Sequence, residues 1–513
     1  SEAHQQVALQ ASREGLVLLK NANNLLPLDK SQIKRIAVCG PNADEASFAL
    51  THYGPVAVEV TTVLEGIRQQ VKEGTKVTYT KGCDLVDANW PESEIISYPL
   101  TAEEKTEIQK AVDNVKESDV AVVVLGGGIR TCGENKSRTS LDLPGHQQQL
   151  LEAIVATGKP VILVLINGRP LSINWADKFV PAILEAWYPG SQGGTAIAEA
   201  LFGDYNPGGK LTVTFPKTVG QIPFNFPAKP ASQVDGGQTP GMKGNQSRIN
   251  GPLYPFGYGL SYTTFEYSNL QLSSPVITDK EPVTVTCKIK NTGTRSGDEV
   301  VQLYTRDVIS SVTTYEKNLR GFERVHLEPG EIKEVSFQLL PRDFQLLNKD
   351  NHWVVEPGMF QIMIGASSED IRLKKGLEIR AYGQASANEI IESDPRDFIS
   401  ASKNKSHILH VVDGDYSTTW KGEKGEYISF ELAENAKVDR INVAWKNAEA
   451  GARYEIQISS GGGQFLPVQR GKVTPNQEET IRFNKTGGSD LRILITNGSA
   501  EIAEIKLPEL RKE

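Results

Sequence analysis

Val120-Ala-Val-Val-Val-Leu-Gly-Gly-Gly-Ile-Arg-Thr-Cys-Gly-Glu-Asn-Lys-Ser-Arg-Thr-Ser-Leu-Asp-Leu-Pro-Gly-His146 is the stretch whose reading decides the fold. From Val120 to Leu125 the run is apolar without interruption, the signature of a strand covered on both faces, as in a parallel sheet sandwiched between helices. Three glycines, Gly126 to Gly128, end the strand and open a polar loop that holds Glu134 and Arg138. Asp142 and Pro144 then supply start signals for a helix. A carboxyl and a guanidinium are thereby placed at the carboxyl end of a parallel strand, where open α/β sheets form their sites.

Outward from this point the pattern repeats. Further strands are expected at Arg35 to Gly40, Val77 to Tyr79, Val161 to Ile166 and Ala182 to Trp187. Between them, Thr61 to Val71, Ala102 to Val115, Gly145 to Ala156 and Gly194 to Phe202 carry apolar residues at helical spacing. Strands alternating with helices argue for a mostly parallel sheet with helices on both faces. From Phe215 to Phe256 the pattern gives way to Pro, Gly, Gln and Ser, including Asp235-Gly-Gly-Gln-Thr-Pro-Gly241, a long irregular connection. After Tyr258 the period becomes two: Val283, Val285, Cys287 and Ile289 alternate with polar residues, as do Val335-Phe337-Leu339 and Phe360-Ile362-Ile364, with turns at Asn291-Thr-Gly293 and Glu328-Pro-Gly330. That spacing predicts an antiparallel sandwich. A second all-β block, with Ile441-Val443-Trp445, Tyr454-Ile456-Ile458 and Leu491-Ile493-Ile495, follows a short spacer near Ala381.

The totals agree with several domains. At about 150 residues per domain, a chain of 513 residues corresponds to roughly three. A net charge of −8, from 55 Lys+Arg against 63 Asp+Glu, is mild and includes no basic stretch long enough to track a phosphate backbone, so nucleic acid is not an expected partner. No apolar run approaches the roughly 20 residues that span a bilayer. The first residues, Ser1-Glu2-Ala3-His4-Gln5-Gln6, carry no signal-peptide core. Cys39, Cys83, Cys132 and Cys287 are too scattered for a disulfide framework and read as small buried apolar side chains.

On residue types alone, Glu134 is the best candidate for acid/base work, although a Glu beside Asn, Lys, Ser and Arg is more often a solvated side chain. Arg138 has the same two readings, a site cation or a surface ion-pair partner. The glycine-rich turn is not a dinucleotide fingerprint, because Thr131 stands where Gly-x-Gly-x-x-Gly needs its last glycine. No Walker-type Gly-Lys-Ser/Thr occurs, and none of the seven histidines forms His-Glu-x-x-His.

At these residues the sequence resembles family 3 glycoside hydrolases. Gly133-Glu134-Asn-Lys-Ser-Arg138-Thr-Ser-Leu-Asp-Leu-Pro-Gly145 with Gln147 is similar to their acid/base segment. Matches in family order are Gly15-Leu-Val-Leu-Leu-Lys-Asn21 with Leu26-Pro-Leu28, Gly40-Pro-Asn-Ala-Asp44, Ala186-Trp-Tyr-Pro-Gly190, Ala200-Leu-Phe-Gly-Asp-Tyr-Asn-Pro-Gly-Gly-Lys-Leu211 and Tyr254-Pro-Phe-Gly-Tyr-Gly-Leu-Ser-Tyr262. The resemblance implies an α/β-sandwich domain over 1–220, a connecting loop over 221–252 and a fibronectin type III-like domain over 253–380. A linker over 381–392 then leads to a discoidin, or coagulation factor 5/8 type C, domain over 393–513. The last is carried by Val412-Asp413-Gly-Asp415-Tyr-Ser-Thr418-Thr-Trp420 and by Ala503-Glu504-Ile505.

The activity implied is that of a retaining exo-β-glycosidase, a β-glucosidase or β-xylosidase acting on oligosaccharides. Glu134 is its general acid/base, Arg138 a substrate-binding candidate, and no cofactor takes part in catalysis. By analogy Asp413, Asp415, Thr418 and Glu504 surround a structural calcium, an oxygen-rich site that suits a hard cation. Trp420 has a plain reading as core. In the family the nucleophile is an Asp on an N-terminal (β/α)8 barrel, and no Lys-His or Asp-Trp pair of the barrel's kind occurs here. The barrel is therefore expected as a partner in cis or in trans, the chain alone is expected to be nearly inactive, and a periplasmic or secreted location follows from the family. The rival reading is a non-catalytic carbohydrate-binding or scaffolding protein that retains these domains.

Overall fold

The computed structural model describes residues 1–49, 58–71, 73–229, 251–382, 399–403, 411–412, 416, 418–432, 437–459 and 465–507. The chain divides into two compact units, Ser1–Tyr382 and Gly383–Glu513. Most of the expected 221–252 connection, including Asp235 to Gly241, lies outside the described residues, as does most of the 381–392 linker.

In the first unit a six-stranded sheet is built from β1 (Val17–Asn21), β2 (Arg35–Cys39), β3 (Lys76–Thr80), β4 (Val120–Gly126), β5 (Val161–Ile166) and β6 (Ala182–Glu185). Its spatial order is β1-β6-β5-β4-β2-β3. β2 to β6 are parallel to their neighbours, and β1 pairs antiparallel with β6. The helices are α1 (Glu2–Gly15), α2 (Ala46–Ala49), α3 (Val63–Gln70), α4 (Ala102–Lys116), α5 (Gln147–Val155), α6 (Asn174–Phe179) and α7 (Gly193–Phe202).

The unbroken apolar strands are explained by two cores, one on each face of the sheet. Ala121, Val123 and Leu125 of β4 pack with Ile108, Ala111 and Val115 of α4 and with Leu150, Leu151 and Ile154 of α5. Val122 and Val124 face the other way, into a core with Leu64 and Ile67 of α3 and with Ile197 and Leu201 of α7. Burying each Val, Leu or Ile among these contributes about 1.5–3 kcal/mol, so a polar residue in mid-strand would be costly on either face. Helix starts follow from capping boxes: Thr62 accepts from Glu65 N at 3.2 Å, and Thr101 from Glu104 N at 3.1 Å. Close contact of α3 with α7 depends on glycine, since a Cβ on Gly194 would lie 2.0 Å from Thr62 O.

The second domain of this unit is a sandwich. One sheet orders 318–327, 297–307, 358–365, 371–380 and 276–278; the other orders 332–339, 283–291 and 265–272. Val283, Val285, Cys287 and Ile289 all point into its core, as their alternation requires. Residues Tyr254 and Leu260, expected with this sandwich, instead bridge to the α/β domain at Phe215 and Leu18. Lys210 and Glu299 join the two domains through a buried ion pair of 3.0 Å.

The second unit is also a two-sheet sandwich, with sheets ordered 399–401, 427–431, 490–497, 453–459, 465–472 and 420–423, 499–506, 437–448, 477–487. Trp420 is fully buried and donates its indole N–H to Lys403 O at 3.0 Å, which confirms the core reading. The expected architecture, a mostly parallel α/β layer domain followed by two β-sandwiches, is the one observed. Among the described residues no helix is long and apolar enough to cross a membrane.

Candidate active site

The loop from Gly127 to His146 is tied to the sheet at its root, beneath its tip and at its end. At the root Gly126 has φ +131, and a Cβ there would lie 2.2 Å from Ile166 O, so only glycine lets β4 approach β5 this closely. Gln147, fully buried, accepts from Gly126 N at 2.8 Å and donates to Leu85 O at 2.8 Å and Gly126 O at 2.9 Å. Asn42, from the loop after β2, donates to Gly127 O at 3.0 Å and Ile166 O at 3.1 Å.

At the tip, Gly133 at φ +133 and Asn135 at φ +61 flank Glu134, and Lys136 N donates to Gly133 O at 3.2 Å. Both conformations suit Gly and Asn better than other residues, so the turn is written into Gly133-Glu134-Asn135. Glu134 is exposed at its apex. A carboxyl so placed can exchange a proton with a bound molecule or with a second protein surface.

Beneath the tip, Arg138 takes the other course. Its side chain is only 4% exposed and forms an ion pair, through Nε, with the equally buried Glu94. Its Nη2 donates to Asp142 O at 3.0 Å, and its guanidinium lies 5.2 Å from the centre of the Trp90 ring. Glu94 Oε2 also accepts from Thr139 N at 2.9 Å and from Thr139 Oγ1 at 3.0 Å. The side chain expected to bind substrate is thus placed under the loop, where it holds 138–142 against the segment around Glu94. At the loop's end His146 bonds Glu104 Oε1 at 2.9 Å, so the cap of α4 also fixes the entry to α5.

A further group stands beside the tip, on the loop after β5. Arg169 donates through Nη1 to Thr131 O and through Nη2 to Lys136 O. Arg169 N in turn donates to Asn167 Oδ1 at 3.1 Å, and Asn167 Nδ2 reaches Glu185 Oε2 at 3.0 Å. Glu185, at the end of β6, is wholly buried and also accepts from Trp187 N at 2.8 Å. Burial pushes its carboxyl up to about 8, against the pull of the Trp187 and Asn167 donors. Glu94, Asn167, Arg169 and Glu185 were not anticipated. A signal was available for Arg169, since Asn167-Gly-Arg-Pro170 follows the strand next to β4 at the same sheet edge.

Of the calcium candidates, Asp413 and Asp415 lie outside the described residues. Thr418 is half-buried, and Glu504 is buried on the strand Ser499–Lys506. Among the described residues no group of three or more His, Cys, Asp or Glu is gathered as a metal site.

A mostly parallel sheet covered on both faces, with an exposed carboxyl on a pinned loop, is followed by two β-sandwiches. Residues 16–262 match the glycosyl hydrolase family 3 C-terminal domain, 299–368 a fibronectin type III-like domain and 395–506 an F5/8 type C domain. The chain therefore carries the C-terminal domains of glycoside hydrolase family 3 joined to an F5/8 type C domain. A β-xylosidase of Formosa agariphila is 44% identical over 382 residues, covering 73% of this chain and 50% of that protein. A periplasmic β-glucosidase of Salmonella typhimurium is 40% identical over 389 residues, with the same shares covered. Among solved structures, a β-glucosidase from Erythrobacter marinus superposes with a TM-score of 0.66 at 38% identity, over 74% of this chain and 51% of that one. The chain spans about half the length of the curated relatives it matches.

Proposed function

We propose that this chain supplies the general acid/base, Glu134, to a retaining exo-β-glycosidase whose nucleophile is an Asp on a (β/α)8 barrel outside these residues. The observation that carries the reading is the exposed carboxyl at the apex of a loop whose root, flank and end are all fixed. Retention needs two carboxyl groups about 5–5.5 Å apart across the scissile bond, one attacking the anomeric carbon and one protonating the leaving oxygen. Glu134 takes the second part and then, as carboxylate, draws a proton from the water that hydrolyses the glycosyl-enzyme. Terminal β-linked glucose or xylose of plant oligosaccharides is the proposed substrate, supported by the β-glucosidase and β-xylosidase names of the relatives. A periplasmic or secreted location is proposed on the same footing, one relative being named periplasmic.

The test is turnover of nitrophenyl β-glucoside and β-xyloside by the 513-residue chain alone and by the same chain joined to a family 3 barrel. The proposal expects no measurable turnover from the first and clear turnover from the second. Absence of turnover from the joined protein, with both parts folded, overturns it.

A further inference from the structure

Glu134 sits on a turn that one guanidinium spans. Thr131 precedes it and Lys136 follows it, and the main-chain carbonyls of both accept from Arg169, one from Nη1 and the other from Nη2. Two diverging donors on a planar fork are what this bridge uses; a lysine ammonium, a point charge on a flexible stem, cannot hold both shoulders in one geometry. The fork is itself held at its base. Arg169 N donates to Asn167 Oδ1, Asn167 Nδ2 donates to the buried Glu185, and Asn167 N donates to Trp187 O at 3.1 Å. Trp187 has φ +54 and gives its own N–H to Glu185, so the loops after β5 and β6 are locked to a single carboxyl. The two loops also meet at Gly168, where a Cβ would lie 2.6 Å from Cys132 Sγ and 2.8 Å from Tyr188 Cε2.

We infer that Arg169 is a positioning residue for the acid/base: it fixes where the Glu134 carboxyl points by clamping Thr131 and Lys136, with Asn167 and Glu185 as its footing. The inference rests on the reading of Glu134 as acid/base. Root and end of the loop are fixed by Gln147, Asn42, Glu94 and Glu104, but none of these reaches the turn itself. Without the fork the turn would keep its fold and lose its aim, and a displacement of about 1 Å in a reacting group costs up to ~10²-fold in rate.

Two measurements test this. On the 513-residue chain, hydrogen exchange compares wild type with Arg169→Met and Arg169→Lys. Amides of residues 131–137 should exchange about tenfold faster in both variants, while those of the strand Val283–Asn291 stay unchanged. In the barrel-joined enzyme, kcat/KM is measured on aryl β-glycosides across a range of leaving groups, beside Glu134→Gln. Cleavage of poor leaving groups depends on proton donation, so Arg169→Met should lower their kcat/KM by roughly 10–100-fold while dinitrophenyl substrates change by less than about 3-fold. Arg169→Lys should show the same slope in milder form. Unchanged exchange, or an equal loss on all leaving groups, overturns the clamp. If Glu134→Gln shows the leaving-group dependence and the Arg169 variants do not, this inference alone falls. If Glu134→Gln lacks it as well, the acid/base reading falls and takes the inference with it.

Discussion

The tip of the β4 loop and its footing are built from the same residue types and do opposite work. Glu134 and Glu185 are glutamates at one edge of one sheet, yet the first is exposed on a turn and the second has no exposed surface. Arg138 and Arg169 divide in the same manner. One is sealed against Glu94 under the loop, and the other is half-buried and grips backbone carbonyls on either side of the tip. The contrast teaches that one carboxyl is held in the open at the tip, the place the proposed acid/base role requires, while its neighbours are withdrawn into the protein to hold it there. Stability should therefore be concentrated in the footing and chemistry in the tip.

The strongest challenge to that division is removal of Glu94. Glu94→Ala leaves the Arg138 guanidinium buried without its carboxylate partner and deprives Thr139 of its acceptor, a loss of about 3–5 kcal/mol in urea unfolding of the 513-residue chain. A loss below about 1 kcal/mol would show that the footing is not where stability lies.

Glu185 sharpens the comparison through pH. Its folded carboxyl titrates near 8, above the usual 4.5, so the folded state favours the protonated form. Both states are protonated below about 4.5; between there and about 8 only the unfolded state gives up the proton, so stability falls with rising pH across this window and is level above it. The drop amounts to a few kcal/mol at most, and Glu185→Gln should flatten it. Unfolding midpoints at pH 5 and pH 8 for the two proteins check the slope, and a wild type that gains stability toward pH 8 from this group would reverse the assignment.

The smallest effect belongs to the tip. Glu134→Ala should change unfolding free energy by no more than about 0.5 kcal/mol, because an exposed side chain away from cores and caps contributes little. A cost of several kcal/mol would make Glu134 part of the footing and end the contrast.

How much of this was legible in the sequence follows from the range of each interaction. β4 and β5 stand out because each strand is apolar along its whole length, and Glu134 because it follows β4 on a loop rich in turn residues. β1 does not stand out as a strand: it is a short apolar run directly after α1, and its pairing with β6 comes from the far end of the domain. α1 is also inconspicuous, since only Leu9 and Ser12 are buried along it. The footing was harder to read for a different reason, although the place of Arg169 after β5 was visible. Arg169 binds main-chain oxygens, which carry no residue type, and Glu94 meets Arg138 across 44 residues of chain. Arg138, quoted with Glu134 as one motif, is separated from it in role by the depth at which its side chain lies.

The central claim is that Glu134 gives and takes the proton at the glycosidic oxygen. Its most direct test uses Glu134→Ala in the barrel-joined enzyme, with an activated aryl β-glycoside and added azide. A glycosyl-enzyme that lacks its base cannot activate water well but is open to an anion that needs no deprotonation. The account predicts a β-glycosyl azide product and a turnover that rises with azide concentration. Hydrolysis of unactivated glycosides at the wild-type rate, with no azide adduct, would contradict it.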